Sequence, residues 1–358
     1  MTRLTLRFCM ALLCCSHLPL AAQVQYTKER EDSIHKGKSA ELIQPSTIKK
    51  GLVNNALEVL SGQAAGVNVT TNGTDRMAML NSVRVRGTTS ITGGNDPLVI
   101  IDGVTSDVAT LSTIYPSDIA SFTILKNASE TARYGSRGAS GVIEVKTKRG
   151  TGGGFQISYN GNYGVEPMYK YLPMLSAAQY RTTAEAWGLD YNDGGFDTDF
   201  HRVITRTGSV QQHHLAFSGG TETQNYRASF GLMDHNTIVR VNDYRNMVAK
   251  IDVTQKAFGG RLTGDFGVFG SSAMTHDIFD TQMLFNSAAT QNPTFPAGQD
   301  ANGNWVKNST AAWINHPGIL LDEKNDSKDA TLNTHLRLTY DIDSHLPSFF
   351  INYIRNFN

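Results

Sequence analysis

Beyond residue 154 the chain alternates between apolar and polar residues, and that pattern narrows its fold more than any other feature. Phe155, Ile157, Tyr159, Tyr163 and Val165 share one side of an extended segment, with Gln156, Ser158, Asn160 and Asn162 opposite. Leu215 and Phe217 continue it, with His214, Ala216 and Ser218 between them. Tyr226, Ala228, Phe230 and Leu232 alternate with Arg227, Ser229 and Gly231. Further sets are Met247, Ala249, Ile251 and Val253; Leu262, Phe266 and Val268; and Leu332, Leu336, Leu338, Tyr340 and Ile342. Successive side chains of a strand point to opposite faces, so each segment reads as a strand with one apolar and one polar face. There are about six, each near the roughly 9–11 residues of a tilted membrane strand.

The connections alternate too. Long stretches at 166–211 and 271–330 bracket the tight GGTETQ, the medium DHNTIVRVNDYRN and the short QKAFGG. Barrels that cross an outer membrane keep short turns at one end and long loops at the other. No segment after the N-terminus has 18 consecutive apolar residues, which excludes a spanning helix. The choice is therefore between a soluble exported protein and a β-barrel.

Export is read from residues 1–22. Arg3 and Arg7 precede an apolar run from Phe8 to Leu20, and Leu20-Ala21-Ala22 offers a cleavage site before Gln23. All three cysteines, Cys9, Cys14 and Cys15, fall inside this signal peptide, so the mature chain is expected to carry no disulfide. Residues 23–50 form a polar leader containing Lys28, Glu29, Arg30, Glu31 and Asp32. Lys plus Arg and Asp plus Glu number 32 each, which gives no electrostatic case for nucleic acid.

Residues 51–150 read as a mixed α/β unit. Asn54 to Leu60 has helical spacing, stopped by Gly62 and Gly66 before a strand at Val67. Val83-Arg84-Val85-Arg86-Gly87 alternates, with Arg84 and Arg86 on the wet face as ligand contacts or as partners of carboxylates in a polar cavity. Leu98-Val99-Ile100-Ile101 is a buried strand, closed by the turn Asp102-Gly103. Residues 117–150 then give strand, helix, glycine turn, strand. Asn127 is the expected N-cap, Glu130 completes a capping box, Gly135 ends a helix of about two turns, and Gly138 and Gly141 shape the turn before Val142. Thr151-Gly152-Gly153-Gly154 looks like a hinge into residues 151–358.

SVRVRG (82–87), PLVIIDGV (97–104), DIASFTILKNASETARYGSRGASGVIEVKTKRG (118–150) and ISYNGNYGVEP followed by LPMLSAAQY resemble the SusC/RagA family of TonB-dependent transporters of the Bacteroidetes outer membrane. The stretch TGSVQQHHLAFSGGTETQNYRASFGLMDHNTIVRVNDYRN resembles the family's early barrel strands. The resemblance implies a plug domain at 51–150 and the N-terminal part of a barrel at 151–358. It further implies non-enzymatic outer-membrane import of oligosaccharide or peptide, a SusD-like surface lipoprotein as partner, the TonB complex as energy source, and no cofactor. Its plug motif falls on Arg84, Arg86, Asp102, Gly103, Asn127, Gly135, Arg137, Gly138 and Gly141.

The chain departs from the family in three ways. No hydrophobic TonB-contacting segment stands out in 23–50. Asn127 and Arg133 stand where an acid and an aliphatic residue are expected. About six strands cannot close a barrel, since the smallest takes about 8 and a plugged one about 22. The tail SHLPSFFINYIRNFN loses the alternation, as a frameshifted or truncated frame would. The expected fold is thus a mixed α/β plug followed by antiparallel transmembrane strands in an incomplete, truncated barrel with one long unpaired edge. The alternative function is a non-transporting fragment whose plug is at most an interaction module.

Chemical motifs are sparse. Asp190, Asp193, Asp197 and Asp199 crowd one loop without calcium-site spacing. His213 and His214 are adjacent, so on a strand they point apart and read as ordinary strand residues. Ser136 and Ser140 lack nucleophile-elbow spacing, and no carboxylate pair can be placed for a hydrolase. Trp187, Trp305 and Trp313 lie in the expected outer loops as candidate ligand or partner contacts.

Overall fold

The computed structural model describes residues 41–43, 53, 55–70, 82–87, 94–278, 280–304, 306, 317–322, 325–341 and 349–357. The expected signal peptide, its cysteines and most of the leader lie outside them.

The first body comprises β1 (Glu41–Ile43), β2 (Val67–Thr70), β3 (Ser82–Val85), β4 (Leu98–Ile101), β5 (Val104–Ser106), α1 (Val108–Thr113), β6 (Ile119–Leu125), α2 (Ala128–Thr131) and β7 (Val142–Thr147). Five of the strands form a sheet in the order β1-β6-β7-β4-β5, and β2 and β3 pair as a separate ribbon. β4 runs parallel to β7, while β6 runs antiparallel to it. The apolar runs noted above fill the core: Phe122, Ile124, Ile143, Val83 and Val99 are completely buried. Leu57, Val59 and Leu60 join them from a single 3-10 turn at Glu58–Leu60. Asn55 caps that turn by accepting from the amides of Leu57 and Glu58. The α1 helix, capped by Asp107 accepting from Thr110 N, has no apolar period to announce it.

Of the capping box around α2, the Glu130 half is in place, since its carboxylate accepts from the amides of Lys126 and Asn127 at 3.3 Å. The helix itself is shorter than the expected two turns. One α turn passes into a 3-10 stretch, Ala132–Gly138, broken at Gly135 with φ 59° and ψ −146°. Gly135 therefore redirects the chain in a conformation that glycine tolerates, rather than closing the helix with an ordinary left-handed cap.

The second body is a seven-stranded antiparallel sheet in strict sequence order. After β8 (Gly153–Glu166) come α3 (Ala177–Ala186), α4 (Phe200–Ile204), β9 (Gly208–Gly220), β10 (Gln224–Asn236), β11 (Asp243–Ala257) and β12 (Leu262–Asp277). Then follow α5 (Thr281–Thr290), α6 (Pro317–Asp322), β13 (Asn325–Tyr340) and β14 (Phe349–Phe357). Two expectations are corrected. β8 to β13 run to 13–16 residues rather than about ten, because pairing continues past the apolar band toward the long loops. A seventh strand follows the expected six: Phe349–Phe357 of the tail pairs with β13, matching Ile351 to Leu338 and Phe357 to Leu332. That residue-for-residue register supplies a ladder that the sequence pattern alone did not reveal. The sheet does not close among the described residues; β8 and β14 are its edges.

Its surface chemistry is inverted relative to a soluble protein. Phe155, Ile157, Tyr163, Phe230, Ile251 and Phe266 are exposed on one face, while Gln212, His214, Arg227, Lys250, Asp252 and Thr275 are buried on the other. The first body covers that polar face. The long connections pack into a cap at one end, where Phe200, Ile204, Val239, Ile278, Leu284 and Leu320 share a core. Backbone bonds from Phe196 N to Thr294 O and Thr198 N to Pro293 O stitch the two longest loops together.

Phe122→Ala is expected to cost about 3–5 kcal/mol in a denaturant titration, whereas Phe155→Ala on the exposed face should change detergent-solubilised stability by under about 0.5 kcal/mol.

Candidate functional site: the seat of the plug on the wall

One end of the α/β sheet rests on the wall. The start of β6, the end of β7 and the end of β4 lie side by side there, because Ile119 pairs with Thr147 and Ile101 with Val145. Asp118 and Asp102 stand at this end, each on the far side of Thr147.

Asp118 is 2% exposed and reaches wholly into the wall. Oδ1 accepts from Arg227 Nη2 at 2.9 Å and Oδ2 from the Ser229 hydroxyl at 2.7 Å, both on β10. His214 Nε2 on β9 lies 3.0 Å from Oδ2, close enough for an ion-pair contact but not aligned as a hydrogen bond. Burial alone would push this carboxyl up. The contacts from His214, Arg227 and Ser229 outweigh it and hold Asp118 at about 2.

Tyr115 stacks on His214 with ring centroids 4.7 Å apart. A Cβ on Gly231 would come within 2.7 Å of that tyrosine ring, so the wall is notched to receive it. Burial, then the neighbouring Asp118 charge, pushes the Tyr115 phenol up to about 12, which keeps it neutral.

Asp102 occupies the β4–β5 turn, whose two central residues have φ 52° and 88°. That is the geometry of a tight hairpin turn and favours Asp-Gly. Gly103 is favoured by its positive φ, and the Arg337 guanidinium of β13 packs against the side where a Cβ would stand. Asp102 accepts from Thr147 N at 2.9 Å and from the Thr147 hydroxyl at 2.6 Å. Burial raises this carboxyl, but Lys250, the two Thr147 bonds and Arg149 together hold it below the usual range. From β11, Lys250 Nζ donates to Thr147 Oγ1 at 2.6 Å, stands 3.7 Å from Asp102, and is paired with Asp252 of its own strand. A cavity of about 30 Å³ lies beside these groups, lined also by Val104, Phe269, Asn333 and His335.

The other expected motif residues sit away from this seat. Arg84 and Arg86 are exposed, and Arg86, at φ 63°, donates to the Asn127 side-chain oxygen rather than to a carboxylate. Arg137 is exposed. Gly138 is buried, with Thr131 O 2.8 Å from where its Cβ would be. Gly141 has φ 91° and presses on Val85, joining the glycine turn to the β2–β3 ribbon. Arg133 pairs with Glu144 on β7.

In the cap, Trp187 follows α3 and is 74% exposed; Trp305 and Trp313 lie outside the described residues. Three of the four aspartates there have structural work. Asp193 is held at about 2, chiefly by the two-pronged Arg181 and then by Gly195 N, Asp197 accepts from Ala177 N, and Asp199 caps α4. No group of three or more metal-binding side chains occurs among the described residues.

His213 and His214 do face opposite ways, His213 meeting the Tyr159 hydroxyl and His214 meeting Asp118. His214 is thus part of the seat, correcting its reading as an ordinary strand residue. Asp118, Arg227, Ser229, Lys250 and Asp252 went unmarked in the sequence. Their signal is positional: ionisable residues on the polar side of alternating strands that a second body must cover.

A compact α/β domain clamped on the charged inner face of an antiparallel sheet with an apolar exterior defines a plugged β-barrel receptor. Residues 35–142 match the TonB-dependent Receptor Plug Domain family. TonB-dependent receptor SusC of Bacteroides thetaiotaomicron is 34% identical over 292 residues, covering 76% of this chain and 29% of that protein. TonB-dependent receptor P3 of Formosa agariphila is 34% identical over 310 residues, 83% of this chain and 29% of that protein. The RagAB peptide importer in its closed-closed state superposes with a TM-score of 0.72 at 20% identity, over 89% of this chain and 41% of that one, and shows the shared fold. The chain belongs to the SusC/RagA-type TonB-dependent receptors, and spans about 29% of the length of these relatives.

Asp118→Asn should cost about 3–5 kcal/mol, since it strands Arg227 in a buried site. The Asp118 carboxyl lies below its unfolded value of 3.8, so its contribution is complete above about pH 4 and is lost as pH falls toward 2. Denaturation midpoints should fall across that window by the equivalent of about 2 kcal/mol, and Asp118→Asn should remove that part of the acid dependence.

Proposed function

We propose that this chain supplies the plug and part of the wall of an outer-membrane importer. The plug blocks the lumen, and the TonB complex displaces it after ligand binds outside. A SusD-like lipoprotein covers the external side, and the cargo is an oligosaccharide or a peptide. The observation that carries this reading is the seat itself: a folded domain held over a polar wall face through ionisable contacts, on a sheet whose outer face is apolar enough for lipid. SusC and P3, both TonB-dependent receptors, support the TonB coupling, and the peptide importer RagAB supports peptide as one class of cargo. The reading requires export by residues 1–22, placement in the outer membrane, no enzymatic step and no cofactor.

The cap offers the external surface. Its two loops are stitched into one body, and Trp187 stands out from it as a contact for ligand or partner. Arg84, Arg86 and Arg137 offer further exposed polar contacts on the plug.

The alternative reading is a non-transporting chain whose plug serves as an interaction module. Uptake separates the two. In cells whose growth on one glycan or peptide depends on a receptor containing this chain, deletion of 51–150 should abolish TonB-dependent uptake and leave at most a passive leak. Uptake that is unchanged and still needs TonB would overturn the gating role.

A further inference from the structure

The plug meets the wall at two charged corners that are built differently, with neutral contacts besides: Gln212 donates to Val53 O, Asn246 donates to Thr113 O, and Phe269 packs on the plug core. At the first, every side-chain hydrogen bond and close ion pair described for Asp118 is with the wall: Arg227, Ser229 and His214. Arg227, 9% exposed, bonds to Asp118 in return. Parting this corner leaves a carboxylate and a guanidinium without each other, which is costly.

At the second corner each side keeps a partner of its own. Asp102 holds the amide and hydroxyl of Thr147, which belongs to the plug, and Lys250 holds Asp252, which belongs to the wall. Separation there gives up the Lys250 to Thr147 bond and the 3.7 Å approach of Lys250 to Asp102, and leaves neither ion bare. The pair Arg149 and Asp265, which also joins the plug's end to β12, is partly exposed and correspondingly weak.

The covalent connection leaves from the first corner. Lys148 N donates to Asp118 O at 2.6 Å. Two residues on, a Cβ on Gly150 would stand 2.3 Å from Tyr226 O, so backbone lies against backbone beside Arg227. Tyr115 is seated in the Gly231 notch at the same place. Tether, notch and committed ion pair therefore coincide on β9 and β10, while the self-sufficient Lys250 contacts lie on β11, beside the neutral bond from Asn246 to Thr113 O and the exposed Arg149–Asp265 pair on β12.

We infer that the plug is released by pivoting: the Asp102 corner lifts from β11–β13 first, while the Asp118 corner stays on β9–β10 as the hinge. The inference rests on the gating reading and adds to it the direction of opening.

Buried inward alanines on each side report it. Ala216 on β9 is 1% exposed and Ala273 on β12 is 6% exposed. In the full chain with Cys9, Cys14 and Cys15 replaced by serine, Ala216→Cys and Ala273→Cys would be labelled with a thiol reagent in sub-denaturing urea. The thiol at 273 should react roughly tenfold faster than the one at 216. Lys250→Met should accelerate labelling at 273 alone, and Asp118→Asn should accelerate both. Equal rates, or faster labelling at 216, would overturn the pivot. Should either variant fold poorly, Val210→Cys and Ser271→Cys make the same comparison. Labelling needs no transport, so equal rates alongside intact TonB-dependent uptake sink the pivot alone, whereas TonB-independent uptake sinks the gate and leaves the labelling order standing.

Discussion

A strand that turns Arg227 inward and Phe230 outward has no stable arrangement by itself in water or in lipid. The apolar side asks for a hydrocarbon environment and the charged side asks for a partner. In this structure the partner is a carboxylate from another body, Asp118, buried against Arg227 and Ser229. The remaining architecture follows from that demand. The plug must present acids at one end of its sheet, which is why Asp118 and Asp102 flank Thr147 across β6, β7 and β4. The wall must present cations and small residues to meet them, as Lys250 and Gly231 do.

Much of this was legible in the chain. Alternation alone locates β8 to β13 and separates His213 from His214, because side-chain direction in a strand depends only on position. The alternating long and short connections anticipated a loop-bearing end. The glycine punctuation of 135–141 marked the irregular turn, although Gly135 adopts a backbone state other than a helix cap.

The unread parts share a cause. The tail lacks a clean period yet pairs with β13, since an edge strand is selected by an available ladder as much as by its own pattern. α1 depends on a cap at Asp107 and on burial of one residue, Leu111, which leaves no periodic trace. The seat was invisible for a different reason. Asp118 lies about a hundred residues from Arg227 and Ser229, and a long-range pair of ordinary charged residues leaves no local signature. The motif arginines at 84 and 86 alternate onto an exposed face, where Arg86 reaches Asn127 rather than a carboxylate. Charged positions on the polar side of the wall strands were the better guide.

The central claim is that one buried ion pair fixes the plug to the wall, and a double-mutant cycle tests it directly. Stability of the detergent-solubilised chain would be measured for Asp118→Asn, Arg227→Gln and the pair. The account predicts strong coupling, about 2 kcal/mol or more, with the double variant recovering much of the cost of either single one. Additivity within about 0.5 kcal/mol would show that the two residues act independently, and would contradict it.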